Sequence, residues 1–213
     1  MELPLVTHLI AIRHGETGWN REGRFQGHLN SALNRDGLAQ VAALGKRMAL
    51  ERFDLLLTSD LGRARETAGA ISRLTGHETV IEPRLRERCM GIFQGLTADE
   101  AQARYPGEYA RFRSHDPDYV IPEGESMRQL LQRSLACVTE LAERHAGLTL
   151  AAVTHGGVLA MLYRHARGMP LEAPRDFALH NTGINRLCHQ PGGWQLLAWG
   201  DIGHLERALD DPE

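Results

Sequence analysis

An apolar run that stops at Arg13-His14-Gly15 constrains this chain more than any other feature. Leu9-Ile10-Ala11-Ile12 reads as a short buried strand, and Gly15 then turns the backbone. An arginine and a histidine are thereby delivered to the carboxyl end of a first strand, where open α/β sheets bind their ligands. A second delivery comes late: the apolar run at 148–153 is followed by Thr154-His155-Gly156-Gly157. Two histidines at two strand ends can meet in space, one as a nucleophile and the other as its charge-stabilising partner.

Strand-like and helix-like stretches alternate along the sequence. A strand at 6–12 leads into a glycine-rich polar loop through Asn34. A helix is predicted from Asp36, read as its N-cap, with Leu38, Val41, Ala42, Gly45, Met48 and Ala49 on one face. A second buried strand is predicted at 54–58. Ser59-Asp60 then opens a helix that turns Ala64, Thr67, Ala68 and Ile71 inward, and a short strand follows at 79–81. Between Arg84 and Glu123, glycines and prolines (Gly91, Gly95, Pro106, Gly107, Pro117, Pro122) leave two short helical pieces. Ser126 opens a long helix with Met127, Leu130, Leu131, Leu135, Val138, Leu141 and Ala142 at helical spacing. A strand at 148–153, a helix at 157–165 and strands at 184–189 and 194–199 complete the series, the last two joined by a hairpin at Gly192-Gly193.

This order predicts an α/β fold, a three-layer α/β/α arrangement with a mostly parallel central sheet. The expectation is a single domain over 1–213, with a cap subregion at 84–124 over the sheet's carboxyl edge and a frayed tail at 205–213. A net charge of −3 gives no broad attraction to nucleic acid or to a membrane surface. Any anion site must come from a local arginine cluster; Lys46 is the sole lysine. Cys89, Cys137 and Cys188 are widely spaced and form no C-x-x-C pair, which predicts a reducing compartment. With no signal-peptide pattern in Met1-Glu2-Leu3-Pro4 and no apolar run of membrane-spanning length, the expected location is the cytoplasm.

A phosphate monoester carries about two negative charges near neutral pH. Arginine meets it with parallel N–H donors that a lysine lacks. Arg13 stands at a strand end, and Arg63 lies near the start of a helix whose amides also favour anions. With His14 and His155 they compose a two-arginine, two-histidine phosphate pocket. The arginines that bind phosphate also disfavour the imidazolium and so keep His14 nucleophilic. Attack would give a phosphohistidine. The departing alkoxide needs a proton, and Glu87, at the start of the irregular segment, is the candidate donor.

Taken in order, the motifs resemble the histidine phosphatase superfamily, also called phosphoglycerate mutase-like, over nearly the whole chain. Arg13-His14-Gly15-Glu16-Thr17 with Trp19-Asn20 is similar to its opening signature, and Arg24-Phe25-Gln26-Gly27 to the loop that follows. Ser59-Asp60-Leu61-Gly62-Arg63-Ala64-Arg65-Glu66-Thr67-Ala68 resembles its second motif, and Leu85-Arg86-Glu87 with Gly91 and Gly95 its general-acid segment. Pro122-Glu123-Gly124-Glu125-Ser126, Val153-Thr154-His155-Gly156-Gly157 and Asn181-Thr182-Gly183-Ile184 resemble the later ones, and Trp199 with His204-Leu205 the usual ending.

The resemblance implies that His14 is the phosphorylated nucleophile, that Arg13, Arg63 and His155 hold phosphate, and that Glu87 donates the proton. Asn20, Gln26, Gly27 and Gly156 would add substrate contacts, with no metal and no cofactor. The partner would be a small-molecule phosphate ester. Only about thirty residues separate Gly95 from Glu125, shorter than the insertion that shields the phosphoenzyme in the mutase branch, so hydrolysis is expected over transfer. Pro-x-Gly-Glu-Ser likewise resembles phosphatases of the α-ribazole and broad-specificity type. Glu87-Arg88 and Gln94 resemble the mutase pattern instead, which keeps a phosphoglycerate mutase as the alternative.

Arg88 is the better candidate for a second anionic group on the substrate, while Arg111 and Arg113 read as a solvated helix face. The remaining histidines read as surface or hydrogen-bonded residues, with His28 the one that could face substrate. Glu125 either orients the site or sits in a helix's first turn. An exposed edge strand would let the chain pair as a homodimer.

Overall fold

The computed structural model describes residues 5–205. The sequence therefore leaves two expectations outside the described residues: the first four positions and the tail beyond Leu205. Strand β1 (Thr7–Arg13) shows how the chain builds three layers. Successive side chains of a strand point to opposite faces. Accordingly Leu9 and Ala11 join one core, and Ile10 and Ile12 join another on the far side of the sheet.

The same alternation runs through β4 (Thr149–Thr154), which gives Leu150 and Ala152 to the first core and Ala151 and Val153 to the second. Strand β2 (Leu55–Thr58) divides likewise at Leu57 and Leu56. With β3 (Thr79–Ile81), β5 (Ile184–Gln190) and β6 (Gly193–Asp201) the sheet order is β3-β2-β4-β1-β5-β6. The four strands β3, β2, β4 and β1 run parallel, and β5 and β6 return antiparallel as a hairpin. Helices α2 (Arg35–Met48) and α3 (Gly62–Thr75) cover one face, and α6 (Met127–Arg144) and α7 (Gly156–Ala166) the other.

Two helix starts differ from the expectation. Helix α2 is capped by Asn34, whose Oδ1 accepts from Gly37 N–H at 2.7 Å, and Asp36 lies inside the first turn. Its buried face is Gly37, Val41, Leu44, Gly45 and Met48, while Leu38, Ala42 and Ala49 look outward. Gly37 fixes that rotation, because a β-carbon there would stand 1.9 Å from the Glu16 carbonyl oxygen. Leu38, one residue on, is carried roughly 100° round the helix toward solvent. Helix α3 begins at Gly62 rather than at Ser59-Asp60. Helix α7 begins at Gly156, directly after His155, one residue earlier than predicted.

The irregular middle of the chain has its own small core of Met90, Phe93, Ala101, Tyr119 and Ile121. Two short helices, α4 (Ala98–Arg104) and α5 (Pro106–Arg113), pack around it with Phe25 of the loop after β1. Phe25 N–H donates to Leu96 O and Gly95 N–H donates back to Phe25 O, so this subregion is stitched to the loop that follows the first histidine.

Candidate active site

Strands β1 and β4 are neighbours in register, Arg13 opposite Thr154, and His14 N–H donates to Thr154 O at 3.0 Å. The chain leaves β1 toward the α2 layer and leaves β4 toward the α7 layer on the other face. A crevice opens where adjacent strands send their connections to opposite faces, and ligands bind in it. His14 and His155 are the first residues past the two strands at that point, with ring centroids 5.2 Å apart.

His14 is 2 % exposed and His155 is fully buried. His14 Nδ1 lies 2.7 Å from Gly15 O, and a carbonyl can only accept, so Nδ1 carries the hydrogen and Nε2 keeps its lone pair. Burial pushes both histidines well below their ordinary pKa, and the Arg13 and Arg63 guanidinium groups push in the same direction. Neutral imidazole is therefore the resident form of each. Gly15 is needed at this turn: a β-carbon would meet Val41 Cγ2 at 2.6 Å.

Arg13 donates through Nη1 to Leu179 O, and a β-carbon on Gly156 would stand 3.4 Å from its Nε. Gly156 thus lies directly against the Arg13 guanidinium at the start of α7. Arg63, in the first turn of α3, is 1 % exposed. Its Nη1 donates to Leu29 O at 2.8 Å and its Nη2 to Gly27 O at 2.9 Å, wrapping the loop after β1 around the side chain. Burial lowers the Arg63 pKa to about 10, which leaves it charged at neutral pH. Both His155 ring nitrogens and the Nε atoms of Arg13 and Arg63 are buried and have no hydrogen-bond partner within the protein. Each such group costs on the order of 1–3 kcal/mol. An anion with several acceptor oxygens would satisfy the arginine donors and the one N–H of neutral His155 together.

Glu87 reaches the pocket from the irregular segment. Its Oε2 accepts from Gly157 N–H at 3.0 Å and its Oε1 from Arg88 N–H at 2.8 Å. The carboxylate thus sits against the amino end of α7, two residues past His155. Gln26 Oε1 is buried without a partner; turning that amide over presents its NH₂ donors instead. Gly27 holds a positive φ of 52°, and a β-carbon there would collide with Gln94 Oε1 at 2.3 Å. Asn20 Oδ1 accepts from Thr17 N–H at 3.1 Å as part of a capping box at helix α1 (Gly18–Glu22). Asn181 links it to His14, since Asn181 Nδ2 donates to His14 O at 2.8 Å and lies 3.5 Å from Asn20 Oδ1.

Arg88 is held apart from the two-histidine cluster: its Nε donates to Glu125 O at 2.9 Å and its guanidinium lies 5.7 Å from the Phe112 ring centre. His28 Nε2 contacts Glu87 O at 2.9 Å, and its N–H donates to Gln94 Oε1 at 2.7 Å. Sequence reasoning missed Arg133, which bonds both Glu125 and the chain around Glu87. The available signal was its position: an arginine three residues after Leu130 and four before Cys137 borders the buried face of α6.

The model of the histidine phosphatase superfamily, branch 1, matches residues 9–202. A metal-independent phosphoserine phosphatase of Arabidopsis thaliana is 37 % identical over 203 residues, covering 94 % of this chain and 84 % of that protein. A probable phosphoglycerate mutase of Klebsiella pneumoniae is 35 % identical over 206 residues, covering 94 % and 96 %. Among solved structures, YhfR of Bacillus stearothermophilus superposes with a TM-score of 0.86 at 32 % identity, covering 93 % of this chain and 99 % of that one.

Proposed function

Because the chain belongs to the histidine phosphatase superfamily, branch 1, we propose that it is a phosphomonoesterase that hydrolyses a small phosphorylated metabolite through phospho-His14. His14 Nε2 attacks phosphorus, an N–P bond forms, and the P–O bond to the alcohol breaks. The departing oxygen takes a proton from Glu87. Water then attacks phosphorus and gives a proton back to Glu87; a P–O bond forms, the N–P bond breaks with its electron pair returning to His14 Nε2, and inorganic phosphate leaves. Arg13, Arg63 and His155 carry the charge of the phosphoryl oxygens, with Gln26, Gly27, Asn20 and Gly156 shaping the pocket around them.

The observation that carries this reading is the His14 Nδ1 contact with Gly15 O at 2.7 Å. It leaves Nε2 unprotonated, on a residue only 2 % exposed and beside two guanidinium groups, which is the state a nucleophile toward a phosphate dianion requires. Arg88 is assigned to a second anionic group of the substrate, its guanidinium being held at the edge of the cap by Glu125 O. Three thiols without disulfide partners suit a reducing compartment, and the cytoplasm is the location we assign.

The test is phosphate release from 4-nitrophenyl phosphate, phosphoserine, 3-phosphoglycerate and sugar phosphates in EDTA, for wild type and His14→Ala. Release that persists in EDTA and vanishes in the variant supports the reading; release that survives His14→Ala overturns it. A mutase is the second reading, favoured by Gln94, whose Oε1 fixes His28 N–H beside Glu87. Interconversion of 2- and 3-phosphoglycerate after priming with the bisphosphate, without net phosphate release, would decide for it.

A further inference from the structure

The segment that carries Glu87 lies between two short 3₁₀ turns, Pro83–Leu85 and Gly91–Phe93, and belongs to no strand. Side chains from three other elements bind its carbonyl groups in succession. Thr154 Oγ1 donates to Leu85 O at 2.8 Å, and His28 Nε2 lies 2.9 Å from Glu87 O. Arg133 takes the rest. Its Nη1 donates to Arg84 O at 2.7 Å and to Arg86 O at 3.0 Å, and its Nη2 donates to Glu87 O at 3.2 Å. The same guanidinium forms a fork with Glu125, Nε to Oε1 and Nη2 to Oε2, each at 2.9 Å. Glu125 Oε2 in turn accepts from Cys89 N–H at 2.9 Å, so the pair grips the segment on both sides of Glu87.

We infer that Arg133, neutralised by Glu125, is a positioning residue that aims the Glu87 carboxyl at the departing oxygen. This rests on the proton-donor role of Glu87 given above. A loop without ladder partners keeps a fixed conformation only where its polar groups are bound, and a planar fork with several fixed donors orders more chain than a point charge can. Arg133 and Glu125 are each about one-fifth exposed, with side-chain exposures of 22 % and 21 %. Water competes little for their bonds, and rigid α6 supplies the anchor. None of these bonds involves His14, His155, Arg13 or Arg63, so the expected effect is confined to proton transfer.

That confinement separates the proposal from a purely structural role. 2,4-Dinitrophenolate leaves without a proton, whereas phenolate needs one in the transition state. The experiment compares kcat/KM, which covers the steps up to departure of the alcohol, for phenyl phosphate and 2,4-dinitrophenyl phosphate. Wild type is measured beside Glu87→Gln, Arg133→Met and Arg133→Lys. In Glu87→Gln, phenyl phosphate turnover is expected to fall about 100-fold or more, with a change of only a few fold on the dinitrophenyl ester. Arg133→Met should lose about 10- to 50-fold on phenyl phosphate and less than about 3-fold on the activated ester, with Arg133→Lys between it and wild type.

An even loss on both esters in the Arg133 variants, or no loss, beside a selective loss in Glu87→Gln, would overturn the positioning role alone. An even loss in Glu87→Gln itself would remove the proton-donor reading and the positioning role with it. If Arg133→Met does not accumulate as folded protein, Arg133→Lys carries the comparison.

Discussion

Gly157 and Glu87 share one volume. A β-carbon on Gly157 would stand 2.1 Å from Glu87 Oε1, while the Gly157 N–H donates to Glu87 Oε2 at 3.0 Å. The atom in the way is the far end of a flexible side chain, so Gly157→Ala can be accommodated by moving the carboxylate. We expect near-native unfolding in urea and a loss of about 10- to 100-fold in turnover of phenyl phosphate. An enzyme of native activity would show that Glu87 has no fixed post at the amino end of α7.

Arg63 tests the proposed phosphate pocket. Its two terminal nitrogens are spent on Leu29 O and Gly27 O, and lysine cannot make that fork while pointing a charge inward. Arg63→Lys is expected to raise the inhibition constant of inorganic phosphate about 10- to 100-fold, the scale of one charge-assisted hydrogen bond. An unchanged constant, measured by competition against 4-nitrophenyl phosphate, would count against Arg63 as a phosphate ligand.

The histidines give a pH dependence with a definite sign. Burial holds His14 and His155 neutral well below their ordinary value of 6.5, whereas in the unfolded chain they titrate near it. As pH falls below about 6.5 the unfolded state takes up protons that the folded state refuses. Stability contributed by each neutral ring is therefore complete above that pH and is lost on acidification, by about 1 kcal/mol per pH unit per histidine until the folded form protonates. Urea midpoints measured from about pH 7 to about pH 5 should fall, and less steeply in His155→Gln. A parallel decline in the variant would place the effect elsewhere.

The irregular middle of the chain has a core small enough to break with one substitution. Phe93 is fully buried among Met90, Tyr119 and Ile121, with Phe25 and Phe112 against its ring. Phe93→Ala is expected to cost about 3–5 kcal/mol. Because Phe25 ties this core to the loop bearing Gln26 and Gly27, the affinity for inorganic phosphate should fall with it. Chemical denaturation and phosphate inhibition measured on the same variant check both parts.

The layers of the fold were legible because strand alternation and helix periodicity are local: Leu9 to Ile12 and Ala64 to Ile71 announce which way they face. The rotation of α2 was not, because it is set by the contact of Gly37 with the Glu16 carbonyl rather than by apolar spacing. In the site, His14, His155, Arg13, Arg63 and Glu87 could be named from motifs at strand and helix ends. Arg133 and the carbonyls it binds could not. Their relationship joins a helix to a segment without regular structure, and a hydrogen bond to a main-chain oxygen leaves no mark on the identity of the residue that accepts it.

Strand β1 lies in the middle of the sheet, between β4 and β5, and Thr182 N–H closes on Arg13 O at 3.0 Å. In chain order β1 precedes both of its sheet neighbours by more than a hundred residues, so it is made well before either can pair with it. Its apolar ribbon waits unpaired until β4 (Thr149–Thr154) is made, a delay in which it is open to association with other chains. The same wiring keeps the candidate site unassembled until late: a chain ending before β4 holds His14 but neither His155 nor the Leu179 carbonyl that accepts from Arg13.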